Sequence, residues 1–147
     1  ATAYDYAYRS LIHYAVSVAD PGFIIGFHPS NDATHISIKV DSTVDTEYGV
    51  NTPVTDVRTW SNYIFTWASG TPMKQYSQGV LIDTSPDTLT GTLANMSGDI
   101  LQIGVRQDGP TAAQHINGEL SDARIYDMEF AQSDVDDLYN SGDGDRG

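Results

Sequence analysis

Seventeen aspartates, three glutamates and four histidines are nearly all the groups of this chain that could move a proton or hold a metal. Cysteine is absent, which excludes disulfides, thiolate nucleophiles and thiolate metal centres. The sequence contains no H-E-x-x-H, no G-x-S-x-G and no glycine-rich phosphate loop. Calcium is the metal that suits so many carboxylates, because it takes hard oxygen ligands, roughly six to eight of them. Asp20, Asp41, Asp45 and Asp108 are expected on loops at one rim of the fold, a candidate calcium set. Asp32 and Asp56 are expected at the other rim. The same acids also read as a solvated coat that needs no ion. Asp143-Gly144-Asp145 opens like a calcium loop but reads as linker.

A second chemistry is recognition of sugar hydroxyls. The segment His28-Pro29-Ser30-Asn31-Asp32, with His35 close behind, supplies donors and acceptors of the kind hydroxyls need. Tyr48, beside Gly49, offers a ring on which a sugar could stack. His28, Asn31, Asp32, His35 and Tyr48 are therefore the candidate carbohydrate contacts, against the plainer reading of an ordinary polar loop. His28 and His35 lack a third histidine for a metal, and His13 and His115 fall in no cluster. Asp122, Arg124 and Tyr126 alternate, so on a strand they share a face. There they are either polar anchors for a ligand or a structural ion pair. Asn95-Met96-Ser97 is a glycosylation sequon, a short pattern that also arises by chance.

The elements that must carry these groups follow a period of two, the mark of half-buried strands. It runs from Tyr4 to Val18 and recurs at Ile36, Ile38 and Val40. Phe23 to Phe27 is continuously apolar, which fits a central strand covered on both faces. Residues 28–34 and 51–59 read as loops, with a short strand near Glu47–Val50 between them. Trp60 to Trp67 reads as a strand with Tyr63, Phe65 and Trp67 on one face, ended by Ser69-Gly70-Thr71-Pro72. That face is expected in the core. A hairpin about Ser77-Gln78-Gly79 joins Met73–Tyr76 to Val80–Asp83. Strands are expected over Asp87–Leu93, Asp99–Arg106 and, at length, Ile116–Met128. One helix is expected, over Ser133–Tyr139, with Gly142 as its stop. This is an all-β pattern, an antiparallel sandwich with one short C-terminal helix.

At 147 residues and a formal charge of −13, the chain is one acidic domain. Seven Lys and Arg against twenty acids exclude a phosphate-backbone partner and docking on an anionic membrane. No apolar run reaches about 18 residues, so no spanning helix is expected. The opening Ala1-Thr2-Ala3 and the tail 143–147 predict a domain excised from a longer chain, 1–142, followed by a linker.

A series of motifs in one order carries a resemblance. Asn117-Gly118-Glu119-Leu120-Ser121-Asp122-Ala123-Arg124-Ile125-Tyr126-Asp127 resembles the G-x-I-D-D-V-R-I-Y signature of the laminin G-like, concanavalin A-like lectin family. Phe130 to Tyr139 follows in register as that family's closing L-S-x-x-E-I-x-x-L-Y helix. Trp60, Tyr63, Ile64, Thr66, Trp67 and Gly70 resemble its W-x-x-V-A-x-T-Y/W-x-x-G strand. Tyr76-Ser77-Gln78-Gly79-Val80 resembles its Y-x-N-G-x hairpin, and Leu101-Gln102-Ile103-Gly104 its L-x-I-G strand. The likeness spans Leu11 to Gly142. Three positions depart from it: Ser121 where Asp is usual, Gln78 in place of the hairpin Asn, and Ala131 in place of the capping Ser. A helix without its Ser cap loses about 1 kcal/mol unless another group replaces it.

The resemblance implies a jelly-roll sandwich, carbohydrate binding or adhesion, and calcium at the rim; it also admits glycoside hydrolases and structural inserts. Fold alone does not decide among them. A hydrolase of this kind carries acids as E-x-D-x-x-E on one strand, and the nearest approach, Asp41 to Glu47, has the wrong spacing. The family pattern puts Trp60 and Trp67 in the core. The expectation is thus a non-enzymatic extracellular, cell-surface or virion-surface domain whose partner is a glycan or, alternatively, a cell-surface protein, with Ca2+ as the only cofactor. Nucleic acid and membrane insertion are excluded, and neighbouring domains are expected. The aspartate coat points to a halophilic microbe or its virus, because such a surface repels itself in dilute buffer. The melting temperature is expected to rise from dilute buffer to molar sodium chloride; a Tm that stays level or falls contradicts the assignment of the coat to brine.

Overall fold

The computed structural model describes residues 9–14, 22–28, 33–39, 52–53, 60–91, 101–108, 112–115 and 118–140. They form ten strands and one helix: β1 (Arg9–Tyr14), β2 (Gly22–His28), β3 (Ala33–Lys39), β4 (Thr52–Pro53), β5 (Tyr63–Thr66), β6 (Thr71–Ser77), β7 (Val80–Leu89), β8 (Leu101–Ile103), β9 (Val105–Asp108), β10 (Ala112–His115) and α1 (Gln132–Tyr139). One sheet has the order β4-β3-β2-β1-β8, a second β5-β6-β7, and β9 pairs with β10. Every pairing is antiparallel. This is the antiparallel β-sandwich with one short helix that the periodicity predicts.

The apolar run Phe23–Phe27 lies in β2, between β1 and β3. Its Phe23 and Ile25 pack, with Phe65 and Trp67, onto buried Met73 and Leu89 of the second sheet. That contact closes the two sheets on each other. The opposite face of the second sheet meets α1, where Tyr76, Phe130 and Val135 form a buried cluster flanked by Ile64 and Leu138. Alternation along β5 therefore sends Phe65 to one core and Ile64 to the other.

The β6–β7 hairpin turns on two residues, Gln78 (φ 51°) and Gly79 (φ 77°), the pair of positive φ values a tight hairpin demands. Gln78 does more than an Asn could here. Its longer side chain accepts the backbone N–H of Asn62 at 2.8 Å, while its own N–H donates to the Asn62 carbonyl at 3.1 Å. Gly79 is buried beneath α1: its carbonyl accepts from Gln132 Nε2 at 2.8 Å. Ala131 provides no capping side chain, and Asp134 substitutes for it, accepting the Ala131 N–H at 2.8 Å. The same carboxylate in the first turn suits the helix dipole.

Several expectations need correction. No strand occupies residues 118–128; the segment is irregular, and the last described strand is β10 at Ala112–His115. Asp122 is the physical cause, since its φ of 56° is left-handed and breaks the pleat. Asp and Asn tolerate that conformation better than other side chains. Gly104 (φ 74°), donating to the Leu11 carbonyl at 2.8 Å, divides the expected Asp99–Arg106 strand into β8 and β9. The Trp60–Trp67 strand shortens to Tyr63–Thr66, and Thr71-Pro72 opens β6 instead of merely ending β5. The Val80–Asp83 and Asp87–Leu93 strands are joined: β7 runs unbroken from Val80 to Leu89. His28, Ala33 and Thr34 belong to strands, and Thr52–Pro53 forms a two-residue edge strand inside an expected loop. The helix closes on Asn140 in left-handed conformation (φ 42°), before Gly142 is reached. Of the expected Tyr4–Val18 strand, β1 covers Arg9–Tyr14, and residues 4–8 and 15–18, like the expected strand Glu47–Val50, lie outside the described residues.

Two glycines test the packing of α1. A Cβ at Gly79 would stand 2.6 Å from Tyr139 Cδ1, whereas one at Gly70 (φ 82°) would meet nothing within 4 Å. Gly70→Ala is expected to cost roughly 1–2 kcal/mol, the backbone strain alone. Gly79→Ala adds the clash with the Tyr139 ring and is expected to cost roughly twice as much. Urea denaturation of the two variants checks the difference; equal losses would mean that α1 does not sit on the turn.

Candidate functional site

β5 is an edge strand of its sheet among the described residues. Residues of the irregular segment 118–130 line a cavity together with β5, and the segment contributes no strand to its sheet. That cavity, of about 380 Å³, is walled by residues of β1, β2, β5, β6, α1 and the segment itself. Its size falls at the low end of small-molecule sites, which span roughly 300–1,000 Å³.

The cavity has an exposed rim of mixed character and an apolar interior wall. Exposed Ser61, Asn62, Ser121, Asp122 and Arg124 stand at its mouth, together with exposed Leu120, Ile125, Tyr126 and Met128. Half-buried Phe23, Ile25, Phe65 and Trp67 and buried Met73 line it on the side of the two-sheet core, and buried Phe130 lines it on the helix side. Tyr63 and Phe65, two apart on β5, stack with ring centres 6.3 Å apart at 14°. Tyr126 turns its ring edge to Phe130 at 4.9 Å, which anchors the exposed segment to the helix-side core. Two polar atoms of the wall residues, Thr66 Oγ1 and Trp67 Nε1, are buried with no partner among the described residues.

Asp122 and Arg124 are the only charged residues lining the cavity among the described residues. Arg124 Nε donates to Asp122 Oδ1 at 2.7 Å. The expected arrangement, both on one face of a strand, is replaced by this local clasp within an irregular loop. Asp122, first, and Tyr126, second, hydrogen-bond the guanidinium and hold its pKa above the ordinary arginine value. Arg124 is therefore a permanent cation at the mouth, and Asp122 balances its charge locally. Asn62 is held in place by its two bonds to Gln78.

Of the residues predicted from sequence, His28, His35 and Asp108 lie in described strands, and none of the three is among the described residues that line this cavity. His28 is the last residue of β2, opposite Ala33, and His35 stands in β3 opposite Gly26. Asn31, Asp32 and Tyr48 lie outside the described residues. Of the candidate calcium ligands, Asp108 ends β9 opposite Ala112, and Asp20, Asp41 and Asp45 lie outside the described residues. Among the described residues no three acids or histidines gather as a metal would require. Trp67 packs in the core as predicted, but Trp60 does not: it is 65% exposed, because β5 begins only at Tyr63 and leaves the preceding residues outside the sheet. Ser61 and Asn62 carry no motif that would have singled them out.

Glu129 fixes where the segment re-enters the fold. It accepts from Lys74 Nζ at 3.2 Å and from Thr71 Oγ1 at 3.4 Å, both on β6. The pair is about two-thirds shielded from water, so it should be worth more than an open surface bridge, at about 1 kcal/mol. A double-mutant cycle of Lys74→Met and Glu129→Gln is expected to return a coupling of about 1 kcal/mol. Coupling near zero would free the segment from β6.

The described residues include no helix long and apolar enough to cross a membrane. Comparison with curated proteins and with solved structures gives no match. Residues 2–136 do match a known family, the laminin G 3 group of the concanavalin A-like lectin/glucanases superfamily. A match over nearly the whole chain, on an antiparallel sandwich closed by one helix, leaves one conclusion: the chain belongs to the concanavalin A-like lectin/glucanases superfamily.

Proposed function

We propose that this domain is a non-enzymatic, extracellular carbohydrate-binding and adhesion module adapted to high salt. The observation that supports this reading is the open cavity at the β5 edge, where the aromatic rings Tyr63 and Phe65 lie behind hydrogen-bonding Asn62, Asp122 and Arg124. Aromatic faces and a few placed polar groups are what a sugar site requires. A permanent cation clasped by a carboxylate offers donors and acceptors together, the complement of vicinal hydroxyls. His28, Asn31, Asp32, His35 and Tyr48 remain a second candidate contact set. Calcium held by Asp20, Asp41, Asp45 and Asp108 would bridge hydroxyls at the rim. The acid spacing in the sequence supports binding without hydrolysis.

An adhesion surface for a cell-surface protein is the alternative, and one observation favours it. Val80, Leu81 and Ile82 are consecutive and exposed on β7, which pairs only with β6 among the described residues. An apolar edge of that kind suits a protein partner.

A glycan array in molar salt, with and without chelator, tests the proposal. Binding is expected without release of reducing ends, and chelator is expected to weaken it. Arg124→Ala is expected to lower affinity about tenfold while leaving Tm near that of the parent, as the loss of one charge-assisted hydrogen bond predicts. Binding unchanged by chelator removes calcium from the reading. Silence under both conditions transfers the assignment to the protein-adhesion alternative.

A further inference from the structure

The rim and the interior wall of the cavity differ in polarity, and that difference speaks to the class of ligand. A plain sugar presents hydroxyls around its whole circumference. Set against the two-sheet core, it would face Phe23, Ile25, Phe65 and Met73. Its ring of hydroxyls would meet at most the two unpartnered wall atoms Thr66 Oγ1 and Trp67 Nε1, and each hydroxyl left without a partner would cost roughly 1–3 kcal/mol. The mouth differs: beside exposed Leu120, Ile125, Tyr126 and Met128 it carries Ser61, Asn62, Asp122 and Arg124, which can meet hydroxyls. One molecule satisfies both ends: a sugar at the mouth carrying an apolar aglycone that enters the depth.

We infer that the cavity takes a glycoside with an apolar aglycone, the headgroup and first part of the chain of a glycolipid. This inference rests on the carbohydrate-binding reading and specifies its substrate class. The volume agrees. At about 30 Å³ per water-sized group, 380 Å³ holds about a dozen heavy atoms, a short alkyl chain with part of a sugar ring. The charge agrees as well. Asp122 and Arg124 cancel at the mouth, so nothing there demands an ionic headgroup. The depth lacks any charged group among the described residues, as a hydrocarbon chain requires.

Titration calorimetry of the domain in molar salt, with methyl, butyl and hexyl β-D-glucosides, galactosides and mannosides and with 1-hexanol, tests the inference. All the probes are used as monomers. Each added methylene is expected to tighten binding about threefold, close to the full transfer value for a buried CH2. The hexyl glycoside of at least one sugar is expected to bind at least tenfold more tightly than 1-hexanol. Ala123→Trp fills the mouth from an exposed position that the core does not use, and it is expected to abolish the advantage of hexyl over methyl with Tm retained. Methyl glycosides binding as well as hexyl ones would overturn the aglycone site and leave carbohydrate binding standing. Hexanol binding as well as the hexyl glycosides would overturn the sugar's part and, with it, the carbohydrate reading at this cavity. Binding by none of the probes, or a hexyl advantage that survives Ala123→Trp, would overturn the site.

Discussion

The structure depends on β6 being covered on both faces. Met73, on one face, is almost fully buried under Phe23 and Ile25 of the other sheet. Tyr76, on the other, is buried against Phe130 and Val135. A single strand thus joins three layers: five-stranded sheet, three-stranded sheet and helix. Removal of either side chain would cost a core and its cavity together, several kcal/mol in comparable cases. The site inherits this constraint, because Met73 and Phe130 also line it. The same residues that hold the fold closed are part of the cavity wall.

The small groups around the hairpin turn this packing into position. Gly79 has no Cβ, so Tyr139 can lie directly on the turn. Gln132 then reaches the Gly79 carbonyl, and Gln78 reaches back to Asn62 at the cavity mouth. The turn is therefore a junction between helix and mouth. It also accounts for Gln at a position where the resembling hairpins carry Asn: a shorter amide has less reach toward the Asn62 N–H. Asp134 plays a comparable part at Ala131, accepting the N–H from within the helix where a Ser side chain would otherwise cap it.

Much of this was legible in the residues because it follows from period and burial. The run Phe23–Phe27 fits a central strand, and β2 lies between β1 and β3 with Phe23 and Ile25 packed on the second sheet. The Tyr63, Phe65, Trp67 face and the Gln78-Gly79 turn follow from alternation and from glycine's freedom at positive φ. What stayed hidden depends on single dihedral angles and on gaps between elements. Asp122 sits inside an alternating pattern that reads as strand, and nothing in its neighbours announces a left-handed backbone. Once it turns, Arg124 folds back onto it, the segment leaves the sheet, and the edge of β5 opens. Trp60 illustrates the same limit. Its place in a motif predicts burial, but the strand starts three residues later and leaves it exposed. A cavity is a missing volume, and no residue type encodes it directly.

The charge of the chain and the character of the cavity separate at this point. A net −13 would normally dominate any binding surface. The cavity is shielded from that conclusion by its own composition. Among the described residues its walls carry one acid and one base, in contact at 2.7 Å. A pair so close presents a dipole, and its field falls off faster than that of a single charge. Molar salt screens isolated surface charges over about 3 Å and leaves short hydrogen-bonded pairs largely intact. Apolar burial is untouched by such screening and is strengthened by excluded salts. A site built from a clasped ion pair and an apolar, aromatic-rich wall is thus the kind that keeps its affinity in brine. The carboxylate coat can then serve solubility without dictating which ligand enters.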